Sequence, residues 1–248
     1  MIKINELKKS FNNKKVLDGI NLDVEQGKIT VIIGRSGEGK SVLIKHIIGL
    51  LKPDEGNIML DGEELTAMDE KELNNIRKRF GMLFQGAALF DSMTVAENVG
   101  FPLREHTDKH EDEIMDIVRD KLKRVGLVGV EDMMPADLSG GMKKRVGLAR
   151  AIAMDPEIVL FDEPTTGLDP IMSDSIAHLM LETQKDLKTT YIAITHDIAL
   201  TYKIADKVAM LHEGRIIETG TVDEIKATIN PVLRQFIEGR AEGPIKVY

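Results

Sequence analysis

Eight residues constrain this chain more than any others: Gly34-Arg35-Ser36-Gly37-Glu38-Gly39-Lys40-Ser41, set between an apolar β-branched run, Ile29 to Ile33, and a helical run, Val42 to Leu51. Strand, glycine-rich turn and helix in that order is the context in which the pattern GxxxxGK[ST] cradles a phosphate. Glycines at 34, 37 and 39 let the backbone bend around an anion and present its N–H groups, and the helix N-terminus adds a partial positive charge. Lys40 would reach the β- and γ-phosphates of a nucleotide, and the Ser41 hydroxyl would ligate magnesium. The bland alternative is an ordinary glycine turn before a helix. All four fixed positions and both flanks favour the cradle.

Composition narrows the rest. At 248 residues and 42% hydrophobic content the chain can bury a full core, as one large domain or one domain with a subdomain. The absence of cysteine excludes a disulfide framework and a thiolate metal site, and suits a reducing compartment. A formal net charge of −8 argues against nucleic acid as the main partner. Met1-Ile2-Lys3-Ile4-Asn5 lacks the apolar core of a signal peptide, and no stretch approaches eighteen consecutive apolar residues. A cytosolic chain is expected, one that works on a membrane only through a partner.

Along the chain, strands come first: Ile2 to Ser10, then a second from Val16 to Val24, with the aromatic Phe11 just before it. Phe11 is either a packing residue or a stacking face for a base. Pro53 stops the helix that follows Ser41, and Asn57 to Glu63 reads as a hairpin turning at Asp61-Gly62. Glu70 to Lys78 is a polar helix, and Phe80 to Phe84 a strand ending at Gln85. By position alone Gln85 is either a core-edge residue or a ligand group, since open α/β sheets place ligands beyond their strand ends.

From Ala87 to Ala153 the apolar spacing becomes helical, in Val95 to Leu103 and Ile114 to Val125, which predicts a helical insertion between two strand-rich parts. It ends in Leu138-Ser139-Gly140-Gly141-Met142-Lys143-Lys144-Arg145, running into Val146 to Met154. Ser139 is a good N-cap. Glycine costs about 1 kcal/mol against alanine in a helix, so a pair of them at its start suggests a ligand that approaches the backbone closely. Most of the charge on Lys143, Lys144, Arg145 and Arg150 is expected to be a solvated face.

Pro156 closes that helix. Ile158 to Phe161 then has the continuous apolar character of a central parallel strand, ending in Asp162-Glu163. Two carboxylates at a strand's C-terminal edge suit a division of labour, Asp162 toward magnesium and Glu163 toward an attacking water. A turn at Gly167-Leu168-Asp169-Pro170 leads to a helix from Met172 to Asp186, and the strand Thr190 to Thr195 ends at His196-Asp197. Lys207 to Leu211 and Arg215 to Glu218 form a closing hairpin, Thr221 to Glu224 a capping box, and Gln235 to Tyr248 an extended tail.

Together these residues resemble the ATP-binding cassette (ABC) ATPase family over nearly the whole chain. Gly34 to Ser41 matches its Walker A motif, Gln85 its Q-loop, Leu138 to Met142 its signature, Ile158 to Glu163 Walker B with the following glutamate, Gly167 to Asp169 the D-loop and His196 the H-loop, all in the family's order. The resemblance implies an α/β P-loop NTPase fold. A RecA-like, mostly parallel core with an antiparallel β subdomain would span 1–86 and 154–220, a helical subdomain 87–153, and C-terminal helices and a tail 221–248.

It also implies that ATP and Mg2+ bind here: nucleotide at Phe11, Gly34 to Val42 and Ser139 to Met142, metal at Ser41, Gln85 and Asp162. Two cassettes would pair head to tail, each ATP lying between Lys40 of one and Ser139 to Gly141 of the other. Glu163 would polarise the water, His196 hold the γ-phosphate and water in line, and Asp169 report across the dimer.

A narrower resemblance, to the Mla/Mce-type phospholipid transporter ATPases, rests on Leu83 to Phe90, Pro102 to Thr107, the signature ending in Met142 rather than Gln, and Gln235 to Gly239 with Gly243-Pro244. It implies a peripheral subunit on the cytoplasmic face of the inner membrane. Its partners would be a membrane permease and an MCE-type lipid-binding protein, with no nucleic acid among them, and the tail would dock on the partner ATPase. The ATPase of another ABC importer or exporter shares every one of these motifs. A soluble cassette ATPase fits less well, because sustained heptads and a second cassette are missing. Three departures stand out: Val42 removes a possible donor near the phosphates, Glu38 puts a carboxylate in the loop that would repel phosphate if turned inward, and Met142 cannot donate as Gln does.

Overall fold

Ile29 to Ile33 is buried at every position, as a strand covered on both faces must be. In the computed structural model, which describes residues 1–246, the chain divides into two compact units. One comprises Met1–Met68 with the chain from Ala193 onward, the other Asp69–Ile192.

In the first unit, β1 (Ile2–Phe11), β2 (Lys14–Val24), β4 (Glu55–Leu60) and β5 (Glu63–Glu64) form an antiparallel sheet in the order β2-β1-β4-β5. Ile2, Ile4 and Leu7 turn one face of β1 into core, and the register shifts around Glu6, whose φ is 46°. Phe11 lies just ahead of β2, as expected, but inside the sheet rather than in a loop. It closes β1 and pairs with Lys14 across Asn12-Asn13, both of which adopt the positive φ that a tight two-residue hairpin demands. The expected Asp61-Gly62 turn joins β4 to β5 in the same way.

A second set of strands in this unit runs β10-β9-β3. Here β3 (Ile29–Ile33) pairs parallel with β9 (Lys207–His212), and β9 pairs antiparallel with β10 (Arg215–Gly220). Helix α1 (Lys40–Ile47) follows β3 directly. It ends well before Pro53, because Gly49 takes φ 68° and turns the chain out of the helix. Helices α7 (Ile198–Ile204), α8 (Val222–Lys226) and α9 (Pro231–Glu238) complete the unit.

The C-terminal segment departs from the extended tail that its composition suggests. Asn230 caps α9, Pro231 opens it and Gly239 closes it in the left-handed region, so Gln235 to Glu238 are helical. The chain then folds back. The Gln235 side chain, 5% exposed, accepts from the Ile245 N–H (2.7 Å) and donates to the Ile245 and Arg240 carbonyls, with Ile245 itself buried. One polar clasp thus satisfies the backbone of a segment with no ladder of its own. The final two residues of the expected tail, including Tyr248, lie outside the described residues.

In the second unit, β6 (Phe80–Leu83) pairs parallel with β7 (Ile158–Asp162). Helix α2 (Glu70–Arg77) precedes β6 and carries a capping box from Asp69 and Glu72. Between the strands lie α3 (Val95–His106), α4 (Glu111–Arg124) and α5 (Gly140–Ala151). Val99, Leu103, Ile114, Val118, Leu122 and Val146 are buried among them, the core of the expected helical region. Helix α5 stops before Pro156, with Asp155 at φ 48° making the exit. Helix α6 (Pro170–Leu187) follows β7, and the division between the units falls within β8 (Thr190–Thr195), all of whose residues are buried.

Candidate functional site

The glycine loop of the first unit is shaped as its sequence requires. Gly39 caps α1 at φ 98°, and a Cβ there would come within 2.9 Å of the Val16 side chain. A Cβ on Gly34 would sit 2.5 Å from the Leu211 carbonyl oxygen. A larger residue at either position would have to displace what it meets, the Leu211 backbone at Gly34 and Val16 at Gly39, so the loop is packed tightly. Lys40 is 5% exposed, and its Nζ donates to the Gly34 (2.8 Å) and Arg35 (3.1 Å) carbonyls, which holds the ammonium against the loop. Ser36, Gly37 and Ser41 are exposed along the same loop.

Glu38 does not turn toward the cradle. Its carboxylate accepts from the Glu213 N–H at 2.6 Å and lies 3.4 Å from His212 Nδ1, at the turn between β9 and β10. The carboxylate that could have repelled a phosphate therefore braces the loop from behind. Arg35 donates to the Lys246 carbonyl at 3.2 Å, which ties the C-terminal segment to the same loop. Phe11 is 41% exposed, with Lys9 Nζ 5.6 Å from its ring centroid. His196 is exposed directly after β8, while the neighbouring Asp197 caps α7 through its bond from the Leu200 N–H.

The second unit carries the remaining candidates. Glu163 stands immediately after β7, 8% exposed, and accepts from the Thr166 hydroxyl at 3.2 Å. Its φ of 50° is a strained conformation for a residue with a Cβ, the kind that persists where surrounding structure imposes it. Asp162, the last residue of β7, is half-buried, and Gln85 is exposed just beyond β6. Ser139 caps α5 by accepting from the Met142 N–H at 3.2 Å, with Gly140 exposed beside it. The Asp169 carboxylate caps α6, accepting from the Ile171 and Met172 N–H groups.

The cationic run on α5 is not a solvated face. Lys144, 5% exposed, donates to the backbone carbonyls of Gln85 and, at 3.1 Å, of Glu163. Arg145 donates to the Val125 carbonyl (2.6 Å) and the Ser175 hydroxyl (2.8 Å), and Arg150 to the carbonyls of Ala87 (2.5 Å) and Ala88 (2.8 Å). Burial pushes the Lys144 ammonium below the usual lysine range, opposed by the nearby Asp162 and Glu163 carboxylates, and burial likewise lowers Arg150. A sequence signal for this existed: Gly141, Lys144, Leu148 and Ala151 recur at helical spacing, and all four are buried, so Lys144 falls on the inward stripe of α5.

The glycine loop with its lysine in the first unit, and the acidic strand end and serine-capped double glycine in the second, are the features by which the sequence resembles the ATPase cassettes. The sequence matches the ABC transporter family over residues 17–166, and the chain belongs to that family.

It is 43% identical over 98% of its length to the probable ribonucleotide transport ATP-binding protein mkl of Mycobacterium leprae, covering 70% of that protein. It is 41% identical over 99% of its length to the intermembrane phospholipid transport system ATP-binding protein MlaF of Haemophilus influenzae, covering 93% of it. Among solved structures it resembles the dimeric ATP-binding cassette MJ0796 in a post-hydrolysis state bound to ADP and Pi. There the TM-score is 0.82 and the identity 30%, over 90% of this chain and 99% of that one. The fold is thus that of the ABC cassettes, and the chain is an ATP-hydrolysing transporter subunit. Among the described residues no helix is long and apolar enough to cross a membrane.

Proposed function

We propose that this cassette powers the movement of phospholipids or related lipids across a bacterial envelope, hydrolysing ATP on the cytoplasmic face of the inner membrane. The observation that carries the lipid assignment is the similarity to MlaF, which runs through 99% of this chain and 93% of that protein and so includes the C-terminal segment beyond the shared ATPase motifs. The mkl protein is named for ribonucleotide transport, which supplies the competing cargo. The assembled complex in liposomes, offered a fluorescent phospholipid and a labelled ribonucleotide in parallel, is expected to move the lipid only. ATP-dependent transport of the ribonucleotide would overturn the assignment.

The roles follow from the groups present. Lys40 and the loop N–H groups absorb charge on the β- and γ-phosphates. Glu163, 8% exposed, takes up the proton of the attacking water. His196 orients the γ-phosphate and the water, Phe11 offers a face to the base, and Asp169 senses the second copy. Ser41, Gln85 and Asp162 offer hydroxyl, amide and carboxylate oxygens, the donor chemistry that fits Mg2+. Held by these residues, the ion would supply positive charge against the phosphates. The catalytic core is assigned to residues 1–86 and 154–220, and the helical subdomain to 87–153.

Partners are a second copy, a permease and an MCE-type lipid-binding protein. A groove of about 410 Å³ in the second unit supports the permease. Phe80, Phe84, Phe90, Phe101 and Arg150 line it, with Phe84 and Phe90 40% and 41% exposed. Exposed aromatics of that kind mark an interaction surface. Phe84→Glu is expected to lower copurification of the permease at least about tenfold, as an unpaired charge in an apolar contact does; unchanged recovery would count against this docking face. The C-terminal segment is assigned to dimer contact. Truncation after Gly239 removes Ile245 from its Gln235 clasp and is expected to weaken the ATP-dependent dimer measured by sedimentation, whereas an unchanged dimer would exclude that role.

A further inference from the structure

The α5 helix begins at the double glycine and carries, one turn further on, a buried ammonium whose two partners are both backbone carbonyls of candidate catalytic residues. Lys144 bonds the Gln85 and Glu163 carbonyls from one Nζ atom. Three segments are therefore joined at a point: the helix capped by Ser139, the loop after β6 and the loop after β7.

These loops are the ones most in need of a tie. Glu163 has φ 50°, and Ala87 and Ala88, two and three residues beyond Gln85, have φ 62° and 46°. A non-glycine residue persists at such angles only where its surroundings hold it there. Arg150, lower on the same helix, holds the Ala87 and Ala88 carbonyls. Helix α5 thus grips the Gln85 segment twice, and Lys144 also reaches Glu163. Neutral packing cannot replace this arrangement, because two carbonyls converging in a buried place need a donor between them.

We infer that Lys144 is a positioning residue for ATP hydrolysis, fixing the backbone from which Gln85 and Glu163 project and coupling both to the helix that carries Ser139 and the double glycine. It acts through the two carbonyls that it holds. Its removal leaves the phosphate loop intact, so nucleotide affinity stays while the alignment of Glu163 is lost. Misplacement of a catalytic group by about 1 Å can cost about a hundredfold in rate.

The inference rests on the reading of Glu163 as the hydrolytic carboxylate, and the test separates the two. Steady-state ATPase kinetics are measured on the full-length chain in its assembled complex for wild type, Lys144→Met, Lys144→Arg, Lys143→Met and Glu163→Gln. Lys144→Met keeps the stem but removes the donors. It is expected to lower kcat about ten- to a hundredfold with KM for ATP within about twofold, the pattern of lost transition-state alignment rather than lost binding. Lys144→Arg, which can still donate to two carbonyls, is expected to recover most of kcat, and Lys143→Met, a neighbour on the same helix, to behave as wild type.

Three results would overturn the inference: a wild-type kcat in Lys144→Met, an equal loss in Lys143→Met, or a fall explained by the folded fraction remaining in Lys144→Met with no recovery in Lys144→Arg. If Glu163→Gln is inactive while Lys144→Met turns over normally, the positioning role alone fails. Turnover retained in Glu163→Gln would remove the reading beneath it, and this one with it.

Discussion

Glu163→Gln is expected to abolish turnover while leaving ATP bound. The substitution is nearly isosteric, keeps an oxygen to accept from the Thr166 hydroxyl and does not change the backbone at φ 50°, so the loop geometry should survive. What disappears is the ability to take a proton from water. A positioned general base contributes about a hundred- to ten-thousandfold, and kcat should fall by that amount. With binding intact and hydrolysis blocked, the ATP-bound dimer should accumulate and be seen as a larger species by size exclusion with ATP and Mg2+. Wild-type turnover by this variant in the assembled complex would sink the assignment of Glu163.

Lys40→Met should act in the opposite sense on the same dimer. The lysine stem is buried in the loop, and methionine fills a similar volume, so the fold should hold. The charge-assisted bonds to phosphate are lost. At about 1.5–3 kcal/mol for a hydrogen bond to a charged group, ATP affinity should drop about ten- to a hundredfold. Nucleotide binding followed by fluorescence would report that loss, and no ATP-driven dimer should appear. The pair of variants is informative together: both lack turnover, but one traps the dimer and the other never forms it. Retained ATP affinity in Lys40→Met would show that the cradle binds through its backbone alone and that the lysine is dispensable for binding.

The strands and helices that carry these residues were legible wherever the pattern was local. Ile29 to Ile33 reads as a buried strand because four apolar β-branched residues around Thr30 leave no charged face, and β3 is that strand. Asp61-Gly62 reads as a hairpin because only residues at ease with positive φ close a two-residue turn. Helix ends were less legible. Pro53 and Pro156 mark where a helix cannot continue, yet α1 and α5 stop earlier, at Gly49 and ahead of Asp155, where the backbone turns left-handed. Gln235 to Glu238 reads as part of an extended tail, but Asn230, Pro231 and Gly239 bound a two-turn helix that includes it.

The amino-acid order by itself determined the chemistry of the cradle. Eight consecutive residues set the direction of their own N–H groups, and Lys40 and Ser41 follow without reference to the rest of the chain. It also determined which residue types stand at the strand ends, and through them the family. Only the tertiary structure decided where charges go. Glu38 could have faced the phosphate or its back, and an N–H 175 residues away, at Glu213, decided the matter. Lys144 could have been solvated, but its carbonyl partner at Gln85 lies 59 residues upstream. The reason is physical: a backbone dihedral is governed by its own residue and its neighbours, whereas the cost of burying a charge is set by whatever distant segment brings the compensating oxygen.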